Sequence, residues 1–449
     1  MRFDLKKFSI VGRGRTLFLA YATSLLSKVV TALVQLLALP VAARTLGVEN
    51  FGAMLTLAAI TSLLYIPGMG LAPAVSFAMG RSIGAGHTAR AARVFADTLR
   101  VGIVAMLVWA VLGGAAVWAL PSEWIFGSEA NRLDDTVRIG AFAMLAHVAL
   151  AYGVSFIDGA RAAMNQTHIS NLYALSGSAL VFGLAMLLAT QQAGFGWFYV
   201  VIFLVPVMMQ IINLIHFSIQ HKAMLATASS EAPDYWSVIK PAFDFTRGQL
   251  GIVLHLHGVV LILTQMVGLS AGAVSGGVVR LYMQINSLVQ SVLTPLMPTL
   301  SAAHASNDRA WQRKGLTAIL ALTWVIIPMM GIVVGLFGNE ILRLWLDLDM
   351  SANGVSSWAY AAWGTLSTMV LIAFSVMIAL GRSKLQGSLI LASGVCGVLS
   401  AAFVLQNGHV EASIWINALF LFIGGLIWPT YYIVRKVRSG RDVQPAGAK

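Results

Sequence analysis

Apolar and polar positions fall into long alternating blocks along this chain. Twelve apolar segments, at roughly 18–42, 52–76, 97–120, 138–159, 170–190, 197–218, 242–267, 273–299, 315–337, 355–380, 385–406 and 412–434, are separated by short polar stretches. Each is near the ~20 residues that a helix needs to cross a bilayer. The pattern predicts an all-α integral membrane protein of about 12 transmembrane helices. The first segment is too long for a signal-peptide core, and "VAARTLG" (41–47) leads straight into the next segment. No cleavage is expected there.

A longer polar stretch, "QHKAMLATASSEAPDYWSVIKP" (220–241), divides the segments six and six. It predicts an N-terminal six-helix lobe over 1–220, an interlobe connector over 221–240, and a C-terminal six-helix lobe with a short basic tail over 241–449. An even number of spans per half gives both lobes the same orientation, as in transporters built of parallel repeats. "ARTLGVENFGAML" (43–55) and "TQMVGLSAGAVSGG" (264–277) echo each other, each setting a Gly-containing turn between the first two spans of its half.

Composition sharpens this picture. The chain is 58% hydrophobic and 10% charged, where soluble domains carry about 25% charged residues. Its net charge of +12 would suggest nucleic acid in a soluble protein. The placement of the charges gives another reason. With the N-terminus inside, 23 of the 29 Lys and Arg fall in the two tails and in alternate loops on the same side. The opposite loops carry acids: Glu123, Glu129, Asp134 and Asp135 in one, Glu340, Asp347 and Asp349 in another. This positive-inside asymmetry predicts that both termini and the connector are cytoplasmic, and nucleic acid drops out as a partner.

Covalent chemistry finds no support. GxSxG, HExxH, Walker A and GxGxxG are absent, the nine His are scattered, and the single Cys396 excludes an intramolecular disulfide. No outer loop is long enough for a catalytic domain. The chain is expected not to be an enzyme and to need no cofactor or metal. Transport, in the absence of an ATP-binding motif, would draw on a gradient or on the substrate's own concentration difference.

The spans themselves carry polar stripes. Ser24, Lys28, Thr31 and Gln35 share one face of span one, and Arg280, Gln284, Ser287, Ser291 and Thr294 share one face of span eight. Asp244, Gly248, Gly251 and His255 form a weaker stripe on span seven. Such stripes either glue helices together or line a hydrated cavity, and charges inside a membrane favour the cavity. Lys28 and Arg280 stand at similar depths in opposite lobes, one a point charge and the other a planar fork, both suited to an anion. Snorkelling to the headgroups is the competing reading. Arg44 at an outer helix end and Arg247 near the inner end of span seven are further candidates; Arg44 either binds substrate or caps carbonyls. Asp158, at the inner end of span four, either pairs with Arg161 or carries protons, and Asp244 is a second coupling candidate. The Trp residues lie mostly near segment ends, as an interfacial belt does.

The order apolar helix, "ARTLGVENFG", apolar helix, "GMGLAPAVSFAMGR" resembles polysaccharide flippases of the Wzx type, in the multidrug/oligosaccharidyl-lipid/polysaccharide (MOP) exporter superfamily. Arg44, Leu46, Gly47, Phe51 and Gly52 match its R-x-L-G-x-x-x-F-G turn, and Gly70-Leu71 its later G-L turn. "VVRLYMQINSLVQSVLTPLMPTLSAAHA" resembles its eighth helix and "LFGNEILRLWLD" its exit from span nine. One departure stands out: "GIVLHLHGVVLIL" in span seven lacks the acid often found there. The resemblance implies a MATE-like fold in the bacterial inner membrane. It implies flipping of an undecaprenyl-pyrophosphate-linked glycan among membrane lipids, for O-antigen, capsule or exopolysaccharide synthesis. A polysaccharide polymerase and a chain-length regulator would be partners. A gradient-driven multidrug or small-cation exporter of the same superfamily is the alternative.

Overall fold

The computed structural model describes residues 10–119, 121, 123–127, 136–191, 195–228, 234–305 and 308–439. The described residues form helices and short connections, with no strand among them. In lipid no water satisfies the backbone, so each apolar stretch must make its own hydrogen bonds, and a helix does so within one segment.

The N-terminal half comprises α1 (Ile10–Leu64), α2 (Leu71–Gly84), α3 (Thr88–Ala119), α4 (Thr136–Val154), α5 (Ile157–Ala163), α6 (Thr167–Thr190) and α7 (Phe195–Gln220). The C-terminal half comprises α8 (Trp236–Val253), α9 (Val259–Met266), α10 (Leu269–Ala305), α11 (Arg309–Ala321), α12 (Ile327–Leu346), α13 (Ser357–Ala379), α14 (Ser383–Gln406), α15 (Val410–Phe422) and α16 (Trp428–Ser439). Three π-helical turns, Leu254–Gly258, Leu322–Ile326 and Ile423–Ile427, join α8 to α9, α11 to α12 and α15 to α16.

Ten helices among the described residues are long and apolar enough to cross a membrane, which makes this a multi-pass membrane protein. One of the ten, Val29–Leu64, runs through two of the segments expected from sequence. They meet at Gly47, whose φ of 72° and ψ of 167° break the helix in a conformation that glycine adopts without Cβ strain. The eighth expected segment is helical, as α10, yet is not among the ten. Arg280, Gln284, Asn286 and Gln290 fall within about three of its turns and lower its hydropathy.

Helices in lipid associate through close packing, because hydrocarbon is as apolar as the side chains. At one end of the molecule the halves meet through Gly52, where a Cβ would stand 2.2 Å from the Leu269 carbonyl oxygen. The Thr56 and Thr264 hydroxyls bond there at 2.9 Å, and Trp345 Nε1 donates to the Leu36 carbonyl at 2.7 Å. At the other end, Leu71, Val75, Phe156 and Phe217 pack with Val238 and Ala242 of α8.

Candidate functional site

The N-terminal half is hollow. A cavity of about 520 Å³ lies among α1, α4, α5, α6 and α7. Small side chains leave the space: Ala38, Ala42, Ala58, Ala151, Ala174, Gly177 and Ala185 all stand on its wall. Polar groups project from between them, namely Thr31, Thr61, Ser62, Tyr65, His147, Ser155, Asp158, Tyr173, Ser178 and Gln210. The C-terminal half supplies one lining residue, Arg280 of α10.

Arg280 is the most unusual of these groups. It is partly buried, and its guanidinium makes no hydrogen bond or ion pair with any described residue. His257, itself buried, lies within electrostatic reach of it. A cation held inside a membrane protein costs several kcal/mol unless something compensates it. Here the guanidinium faces a cavity, where an anion or water meets its five donors.

Asp158 is the acid of the cavity. Its carboxylate is exposed within it and accepts a long bond from Gln210 Nε2 at 3.5 Å. Asp158 and Arg161, three residues on, interact electrostatically, yet no hydrogen bond or ion pair joins them among the described residues. Arg161 is fully buried and turns its donors to α7 and the α5–α6 turn. Its Nη1 donates to Gln166 and Gln220, each at 2.7 Å, and its Nε to Asn213 at 3.1 Å. Nη2 donates to His216 Nδ1 at 3.3 Å, and the Tyr173 hydroxyl lies 2.9 Å from the same nitrogen. Gln166, Asn213, His216 and Gln220 thus hold a buried guanidinium, and Tyr173 links them to the cavity.

His147 is fixed from the opposite wall, its Nδ1 donating to the Phe203 carbonyl at 2.6 Å. Tyr65 meets Tyr152 edge-on at 5.7 Å, and the Tyr152 hydroxyl donates to the Leu64 carbonyl.

The sequence-derived candidates divide as follows. Thr31, Arg280 and Asp158 line the cavity. Gln284 is buried and Ser287 partly buried on α10, and neither lines it. Arg44 is exposed three residues before the Gly47 break, and Arg247 is exposed on α8. The side chains of Ser24, Lys28, Gln35 and Asp244 lie outside the described residues. His255 is buried in the C-terminal half and is not among the residues lining this cavity. Its ring nitrogens stand 3.1 Å from Asn417 Oδ1 and 3.1 Å from Ser393 Oγ. The stripe it shares with Gly248 and Gly251 faces Phe374, Ile390 and Ser393.

Several lining residues escaped the sequence reading: Thr61, Ser62 and Tyr65 on α1 and beyond it, His147, Tyr173 and Gln210. A signal for some of them exists. Ala58, Thr61, Ser62 and Tyr65 follow helical spacing, as do Tyr173, Gly177, Val181 and Ala185. Both stripes mix small and polar residues, which marks a helix face near a cavity or a close helix contact.

No protein-family model and no curated protein matches the chain. Solved structures do match it. An inward-facing multidrug-resistance MATE family transporter of the MOP superfamily is 15% identical over 92% of this chain and 96% of its own, with a TM-score of 0.73. An outward-facing MATE family transporter is 15% identical over 94% and 96%, with a TM-score of 0.65. A MOP superfamily transporter from Pyrococcus furiosus, described as having a binding pocket of reverse polarity that suggests a different function, is 15% identical over 93% and 96%, with a TM-score of 0.62. At this identity the likeness shows the fold: the chain has the fold of MATE family transporters over nearly its whole length.

Proposed function

We propose that this protein is a transporter of the MOP superfamily and that it flips an undecaprenyl-pyrophosphate-linked oligosaccharide from the cytoplasmic to the outer leaflet of the bacterial inner membrane. In this reading twelve spans form two six-helix lobes, both termini are cytoplasmic, and residues 221–240 connect the lobes. The lobes rock about the cavity to give alternating access. That inward- and outward-facing transporters share this fold supports the motion.

One observation carries the choice of substrate: the guanidinium of Arg280, with no hydrogen bond or ion pair to a described residue, faces a cavity whose other described lining residues come from the N-terminal half. Its planar fork suits phosphate oxygens. Lys28 stands three residues before Thr31, which lines the same cavity, and residues three apart share a helix face. Lys28 therefore completes the diphosphate site in this proposal, and Gln35 and Ser24 extend its polar face. The glycan enters the hydrated space while the polyprenyl tail stays in lipid. Export of surface polysaccharide tests this. Arg280→Ala should abolish it at normal protein abundance, and Arg280→Lys should keep part of it. Normal export by the alanine variant at native expression would overturn the assignment.

Asp158 supports a second reading, a gradient-driven exporter of cationic compounds, because an exposed carboxylate stands in the same cavity. Asp158→Asn separates the two. It should abolish the efflux of a cationic dye in the exporter, and in the flippase it leaves dye accumulation as it is in cells lacking the protein.

A further inference from the structure

Away from the cavity, on the outer face of the C-terminal half, a groove of about 560 Å³ runs between α11–α12 and α15–α16. It begins at Trp324, within the π-helical turn Leu322–Ile326, and at Phe422, which precedes the turn Ile423–Ile427. Each π turn widens its helix by a residue and disturbs the even packing of neighbouring α-helices. Trp324 and Phe422 form one end of the groove, with their rings edge to face at 6.5 Å. Leu426, Ile427 and Val434 continue its apolar floor. Arg435 and Arg438 close the other end, where Arg435 Nη1 donates to the Tyr431 hydroxyl at 3.1 Å.

We propose that this groove is a binding site for one anionic phospholipid, its acyl chain along Phe422–Val434 and its phosphate against Arg435 and Arg438. Length supports the assignment. Phe422 and Arg435 are thirteen residues apart, about 20 Å along a helix, the reach of one extended acyl chain. Charge supports it too. Both guanidinia are exposed, and the described residues lining the groove include no acid. A zwitterionic headgroup would bring its own cation against two arginines, whereas phosphatidylglycerol brings only the phosphate. Basic pockets between membrane helices recognise anionic lipids in this way. The site is independent of the substrate cavity, with which it shares no residue.

Native mass spectrometry of the purified, delipidated full-length protein tests the proposal, with phosphatidylglycerol and phosphatidylcholine of identical chains offered at equal concentration. The wild type should retain phosphatidylglycerol about tenfold more than phosphatidylcholine. Arg435→Gln with Arg438→Gln should erase that preference, and the double lysine variant should keep part of it, which guards against misfolding. Thr430→Trp, which fills the groove and leaves both arginines in place, should also reduce phosphatidylglycerol retention. Millimolar glycerol phosphate, a headgroup without chains, should not displace the lipid. Equal retention of the two lipids by the wild type, an unchanged preference in the glutamine variant, or displacement by glycerol phosphate would overturn the site.

Discussion

The two halves of this protein are built from similar apolar segments, yet one encloses a cavity where the other places large buried side chains. In the N-terminal half, alanines and a glycine on α1, α4 and α6 face one another and leave about 520 Å³ between them. In the C-terminal half, α13 fills the corresponding interior with Tyr360, Trp363, Met369 and Phe374, all buried. His255 and the charged groups of the cavity illustrate a second difference. His255 has a partner at each ring nitrogen, and Trp363 Nε1 donates to its carbonyl at 3.0 Å. In the hollow half Asp158 accepts a long bond from Gln210, and Arg280 reaches in from across the seam with no hydrogen bond or ion pair to a described residue. The lesson concerns satisfaction rather than polarity. A charged group that faces a cavity marks a site, whereas a buried ring bonded at both nitrogens marks packing.

Four variants would break or sharpen this contrast. The largest effect is expected at the seam. Cysteines in place of Thr56 and Thr264, whose hydroxyls stand 2.9 Å apart, should form a disulfide in a Cys396→Ser background. Oxidation should arrest transport and reduction should restore it. Full transport by the crosslinked protein would show that the halves do not separate there. Next comes Trp363→Ala, which opens a hole in the packed half and should cost about 3–5 kcal/mol, seen as a large fall in the thermal unfolding midpoint in detergent. His255→Ala should cost about 1–3 kcal/mol, because Asn417 and Ser393 are left without their partner. The smallest effect belongs to the hollow half. Thr61→Ala, on the cavity wall, should change stability by no more than about 0.5 kcal/mol. Similar losses at Thr61 and Trp363 would erase the distinction between the halves.

Much of the fold was legible because apolar length and loop polarity act locally. The helical segments and the Gly47 break follow from the lipid's demand for satisfied backbone and from glycine's freedom at positive φ. Thr31 and Arg280 were legible as members of polar stripes. Three things were not. Spacing shows that Gly248, Gly251 and His255 share a face, but not that α14 packs against it, since that depends on residues more than a hundred positions away. The i,i+3 spacing of Asp158 and Arg161 suggested a pair, whereas Gln166, Asn213 and Gln220 compete for the guanidinium. The π-helical turns, which shape the groove at Trp324 and Phe422, leave no periodicity that a short window detects.

The central claim, that the open guanidinium of Arg280 receives a diphosphate, is tested most directly in proteoliposomes. The substrate is a fluorescent polyprenyl-diphosphate oligosaccharide, and the readout is the fraction that becomes accessible to a membrane-impermeant quencher on the far side. Wild-type protein should accelerate the crossing. Arg280→Ala should reduce it to the protein-free rate, and Arg280→Lys should fall between. Inorganic pyrophosphate added inside and out should slow the wild type by competing at the site. A wild-type rate for Arg280→Ala, with no slowing by pyrophosphate, would contradict the account.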